Sequence, residues 1–381
     1  MFDQVELRAD ADPATCRALV ERLGEVGPRP TPVLLMLADQ PGLDLEALVS
    51  ELSNAAVPVI GGVFPALIHG SEVHSRGALG VAFSASARRV VIRNLFEPAN
   101  LIGLTLSQLR TGTRAGGLTL SMLVDGQAAG SATALLEAAR LEFLHLGADF
   151  IGAGAGYWSV DARPCLFTER ELLPRGSGIV LAIDRRTSVE VDHGWSALGA
   201  PFFASRVRDT TLFELDWQPA IDVYAAAISR VEPSTRAGGD LLEQARRFPL
   251  AIVKHHDELV VRDPVSLTED GGIFTLGAIP DCSLVVPVSG APENLLAAAT
   301  VVSKAVRRRS EEREGRTPAA ALVLDCASRL EAIGDRFGEE LARVQREFEQ
   351  PIAGALSLGG IASRRGRAVN FFNRTVVVGA R

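Results

Sequence analysis

The chain has 381 residues, 47% of them hydrophobic and 22% charged, with a formal net charge of −7. That length exceeds one ordinary core and implies two domains. The acidic balance offers no general surface for nucleic acid, and the basic cluster at 307–316 alternates with acids and reads as the solvated end of a helix.

No apolar run reaches membrane-spanning length, and the N-terminus has neither a basic n-region nor an apolar h-region. Four cysteines, Cys16, Cys165, Cys282 and Cys326, are scattered without a C-x-x-C pair. A protein of the reducing cytoplasm, without membrane insertion, is the expectation.

Period-two apolar runs bounded by Gly, Pro and Asp predict strands, and longer amphipathic runs predict helices. In chain order these are a strand at 33–38, a helix at 44–55, strands at 57–60, 79–83 and 90–95, and a helix at 100–110. A strand at 118–124, a helix at 132–146 and strands at 149–151, 165–168, 179–183 and 188–191 follow. Next come helices at 219–229 and 239–247 and strands at 250–254, 258–262 and 284–288. A helix at 292–309, a strand at 321–325, a helix at 335–349 and strands at 352–358 and 368–378 close the chain. This is an α/β pattern of mixed sheets flanked by helices.

Three segments repeat the order strand, Asp turn, helix, Gly-punctuated strand: "LLMLAD…PVIGGVF", "LSMLVDG…DFIGAGAG" and "ALVLDCAS…PIAGALSLGG". Asp39, Asp125 and Asp325 stand where a strand ends, and Asp325 reads as a helix cap. The hairpins "GALGVAFSASARRVVIRNLF" and "GSGIVLAIDRRTSVEVDHGW" align, setting His193 against Asn94. The aperiodic "SRVEPSTRA" at 229–237 marks a boundary. The expected division is an N-terminal segment 1–30, a first domain 31–230 and a second domain 231–381.

"GAGAG", Gly152 to Gly156, follows a strand as a dinucleotide loop would. Its spacing is wrong for one, and no helix pattern follows, so Gly152 and Gly154 let a backbone or ligand come close. His255 and His256 on a strand would face opposite ways and could not share a metal. Cys326 could be activated at a helix N-terminus or be a small buried residue. Asn373 reads as hydrogen-bonded in a strand or turn. No established catalytic motif stands out, and the protein is expected not to be an enzyme. In "DHGW", His193 and Trp195 flank Gly194 on one side of the chain. They form either a concave ligand spot or a Trp packed on the sheet with a backbone-bonded His.

At "PVIGG", "VDG", "FIGAGAGYW", "DHGW", "LFELDWQPAIDVYAAAI", "ALVLDCASR" and "PIAGALSLGG", the order of elements resembles the FIST family over about residues 30 to 380. The chain departs from the family pattern at Gly360, where many members carry Glu, and at "VFPALI" after "PVIGG". The resemblance implies a cytoplasmic sensory protein that binds a small ligand and signals through a histidine kinase or cyclic-dinucleotide enzyme, with a homodimer possible. "GALSLGGIA" and "FFNRT" resemble a stand-alone, NosP-like subgroup that binds haem b and senses nitric oxide. That implies His193 as axial ligand to the metal, with His69 second, and Gly194, Trp195, Gly152, Gly154 and Asn94 around the ligand. The alternatives are a haem-free sensor of an amino acid or similar metabolite, and an enzyme using Cys326 or the "GAGAG" loop.

Overall fold

The computed structural model describes residues 2–26, 32–83, 85–110, 117–159, 163–231, 241–363 and 368–381. Part of the 229–237 linker and of the 1–30 segment therefore lies outside the described residues.

The chain opens with β1 (Phe2–Arg8) and α1 (Pro13–Gly24). A first unit follows: β2 (Val33–Ala38), α2 (Leu45–Leu52), β3 (Val59–Phe64), β4 (Ala66–His69), β5 (Glu72–His74), β6 (Ala78–Phe83), β7 (Ala87–Ile92) and α3 (Ala99–Ser107). The second comprises β8 (Thr119–Asp125), α4 (Ala132–Phe143), β9 (Asp149–Ala155), β10 (Leu166–Thr168), β11 (Gly178–Ile183) and β12 (Ser188–Asp192). After it come β13 (Ser196–Ala197), β14 (Phe202–Arg208), β15 (Thr211–Leu215), β16 (Gln218–Pro219), α5 (Ala220–Val231) and α6 (Leu241–Arg247). These lead into β17 (Leu250–Val253), β18 (Leu259–Leu267), β19 (Ile273–Leu276) and β20 (Leu284–Ser289). The third unit is α7 (Pro292–Glu314), β21 (Ala321–Cys326), α8 (Ala327–Ile333), α9 (Phe337–Gln345), β22 (Ala353–Ser357), β23 (Gly360–Ser363), β24 (Val369–Phe372) and β25 (Val376–Ala380).

The protein is mixed α/β, as the sequence predicts. Each unit centres on a parallel pair, β2–β3, β8–β9 or β21–β22, with β6, β11 or β25 antiparallel on its flank. Strands from either side of residue 230 share sheets. β4 of the first unit pairs with β22 of the third, β10 of the second with β3 of the first, and β23 of the third with β9 of the second. The next strand is also passed on, β7 to β11 and β12 to β25. β1 fills the remaining slot, against β6, so the start of the chain supplies the strand that would follow β25.

This cyclic exchange is a pseudo-threefold arrangement, and three equivalent backbone bonds confirm its register. Ala38 N donates to Gly77 O, Asp125 N to Ser177 O and Cys326 N to Thr375 O, each at 3.0 Å. Around the axis Gly156 N donates to Val63 O and Leu358 N to Gly154 O. Pro65 occupies the third donor position and has no N–H to give.

The register corrects two sequence alignments. Ala38, Asp125 and Cys326 are equivalent, so Asp39, Asp125 and Asp325 are staggered by one residue each. A one-residue step turns a side chain to the other face of a strand. Likewise Ile92 pairs with Gly178 and Asp192 with Val376. This puts Arg93 at the place of His193, and Asn94 at that of Gly194.

The segment between β12 and α7 forms its own antiparallel sheet. β20 pairs with both β14 and β17, and this closes β14, β15, β19, β18, β17 and β20 into a barrel. β2, β8, β21 and β22 are buried throughout, which explains their unbroken apolar runs. Glycines let the parallel pairs approach. A Cβ at Gly152 would lie 2.2 Å from Met122 O, and one at Gly354 would lie 1.7 Å from Val323 O.

Candidate functional site

β12 delivers His193 to the base of α7. Asp192 Oδ1 accepts from His193 N at 2.8 Å, and the chain turns at Gly194, whose φ is 78°. A Cβ on Gly194 would lie 2.4 Å from Asn294 O, so the backbone of α7 closes the concave spot expected beside it. His193 is 7% exposed. Its Nδ1 accepts from Trp195 N at 2.9 Å, which leaves the proton on Nε2, 3.1 Å from Leu259 O.

Both ring nitrogens thus face backbone partners, and the residues do not fit an axial haem ligand. His69, half-buried at the end of β4, has its ring 6.5 Å from that of His74. Burial, and then His74, lower its pKa. Asn94 is exposed, and its Oδ1 accepts from Phe96 N. Gly152 and Gly154 lie inside β9, bonded between β8 and β23, where backbone rather than ligand occupies the space. The structure therefore does not gather His69, Asn94, Gly152 or Gly154 around His193.

Trp195 does border a cavity, although only 5% exposed. A cavity of about 660 Å³ is lined by Trp195, Arg246, Phe248, Gly290 and Glu331 among others. A second lobe of about 540 Å³ shares Arg246 and Glu331 and adds Trp158, Glu243, Asp263 and Arg374. Together they make a cleft at the C-terminal end of β21, where open α/β sheets bind ligands. The cleft carries both signs of charge and two indole rings.

Arg374 is the best-anchored group in that wall. It sits in the turn before β25 with φ 54°, a strained conformation for a non-glycine residue. Its Nε donates to Asp263 Oδ1 at 2.8 Å, its Nη1 donates to Arg246 O at 2.7 Å, and its guanidinium lies 5.4 Å from the Trp195 ring. Neighbouring Asn373, expected to be hydrogen-bonded, is fully buried with both side-chain polar atoms unpartnered among the described residues.

Behind the cleft Arg329 is completely buried. It donates to Glu340 at 3.0 and 2.7 Å, to His193 O at 2.8 Å and to Leu295 O at 2.9 Å. Asp325 lies 3.4 Å from Arg329 rather than capping α8, whose N-cap is Cys326. Burial, reinforced by Glu340, pushes the Asp325 carboxyl well above the usual range. Burial also pushes the Cys326 thiol up, the opposite of an activated nucleophile. His255 and His256 stand on a short turn, with His256 at φ 59°, rather than on a strand. No three His, Cys, Asp or Glu side chains converge on a possible metal site among the described residues.

Sequence reasoning did not find Arg246, Asp263, Arg329, Glu340 or Arg374. The available signal was charge inside apolar runs: "VVRDPV" for Asp263 and "FFNRTVVV" for Arg374.

Fold and cleft define an α/β protein of three exchanged units with a charged cleft beside an inserted barrel. Residues 220–363, from α5 to the end of β23, match the family model described as the FIST C domain. FIST is a sensory domain family. A search of the curated proteins gives no match. No described helix is long and apolar enough to cross a membrane.

Proposed function

We propose that the protein senses a small zwitterionic metabolite of the amino-acid class and passes the signal to a histidine kinase or cyclic-dinucleotide enzyme. The observation that supports this reading is the cleft, in which Arg246 and Glu331 border both lobes. A carboxylate would pair with the guanidinium of Arg246 and an ammonium with Glu331. The indoles of Trp195 and Trp158 supply apolar walls for a side chain.

Haem-based nitric oxide sensing has less support, because His193 has both nitrogens engaged.

The test is thermal unfolding across a panel of amino acids, followed by calorimetric titration of any that stabilise. A ligand at 100 times its Kd adds about 2.7 kcal/mol. Glu331→Gln and Arg246→Gln should each weaken binding about tenfold or more. A panel in which no member stabilises the protein, or binding indifferent to both substitutions, refutes the reading.

A further inference from the structure

A separate cavity of about 370 Å³ shares Leu276 with the cleft and is otherwise lined by different residues, including Phe96, Gln127, Arg175, Asp209 and Phe274. Its place in the fold is informative. Asp125 and Cys326 are equivalent by register, so Gln127 in this cavity corresponds to Ser328 in the cleft. The cavity is therefore the second unit's counterpart of the third unit's cleft, at the C-terminal end of β8, and the inserted barrel covers it through β19. The same rule that places a ligand at one strand end applies at the other.

Its chemistry differs from that of the cleft. Phe96 is 70% exposed, unusual for a phenylalanine. Its ring lies against Gly176, where a Cβ would come within 2.6 Å of Cε2. Phe274 and Leu276 bring further apolar wall from β19. Gln127 Nε2 donates to Ser159 O at 2.9 Å, while its Oε1 is a buried acceptor without a partner among the described residues. Arg175 is exposed and makes no ion pair among the described residues. Asp209 adds a single carboxylate at the turn after β14.

We propose that this cavity is a second ligand site, selective for a planar aromatic monocarboxylate that carries a ring N–H. The ring lies against Phe96 and Phe274, the N–H donates to Gln127 Oε1, and the carboxylate pairs with Arg175. Asp209 disfavours a doubly charged group such as a phosphate. This goes beyond the cleft reading and does not depend on it.

Indole-3-carboxylate is the probe, followed by saturation-transfer NMR and calorimetry on the full chain. Wild-type protein is expected to bind it saturably, and the neutral indole-3-carboxamide at least tenfold more weakly. Arg175→Met, at an exposed position, should weaken the carboxylate at least tenfold and leave the melting temperature unchanged. Phe274→Ser, checked for folding by circular dichroism, should abolish the ring signals. Absence of saturable binding to the wild type, or binding that Arg175→Met leaves unaltered, overturns the proposal. Glu331→Gln reports on the cleft alone, so indifference of the probe to that variant is expected, and its loss there would assign the probe to the cleft and also overturn the proposal.

Discussion

Replacing Arg329 by Met isolates a buried charge whose cost can be worked from the structure. Arg329 is the counter-charge of Glu340, with bonds of 3.0 and 2.7 Å, while burial pushes the Asp325 carboxyl well above the usual range. Without the guanidinium, Glu340 is left as a buried carboxyl with no counter-charge, and removing one partner of a buried pair costs about 3–5 kcal/mol. Donors lost from His193 O and Leu295 O add roughly 1 kcal/mol. Arg329→Met should therefore destabilise by about 4–6 kcal/mol. Urea unfolding followed by tryptophan fluorescence measures this. The double variant Arg329→Met/Glu340→Leu should recover most of the stability, since an apolar pair replaces an ionic one. A penalty below about 2 kcal/mol, or a double variant no more stable than Arg329→Met, would refute the reasoning.

Further outcomes are expected from stability and spectroscopic measurements. Gly152→Ala and Gly354→Ala drive a Cβ into backbone oxygens and should each cost about 3 kcal/mol or more. In contrast, Gly338→Ala, on α9 with nothing within 4 Å, should stabilise by roughly 0.5–1 kcal/mol. His193→Ala should cost about 1–3 kcal/mol by stranding Trp195 N and Leu259 O. Haemin added to the wild type should show the absorption of free haemin, and a saturable Soret shift that disappears in His193→Ala would contradict the hydrogen-bonded assignment of that ring.

Element types were legible because they follow from local periodicity. The runs at 33–38, 118–124 and 321–325 read as strands, and the amphipathic run after Pro292 as a helix. Even the threefold repetition was visible, since each unit carries a buried parallel pair whose second strand is punctuated by glycine. The register between units was not. Counting letters set His193 against Asn94, but only strand pairing shows that Arg93 occupies the equivalent place. Of the residues singled out in the sequence, Trp195 alone borders the cleft, and the charges that give the cleft its character come from α6, β18, α8 and the turn before β25.

The sequence by itself determined the α/β composition and the repeated unit with its Gly-punctuated second strand. These are set by residues close along the chain, through side-chain periodicity and the space one backbone leaves another. Tertiary structure decided which strand crosses to which unit, that residues between β12 and α7 form a barrel, and that "DHGW" is a braced turn rather than an open pocket. A carboxylate such as Asp263 and a guanidinium such as Arg374 stand 111 positions apart in the chain. Their pairing depends on long-range strand exchange, which no local pattern encodes.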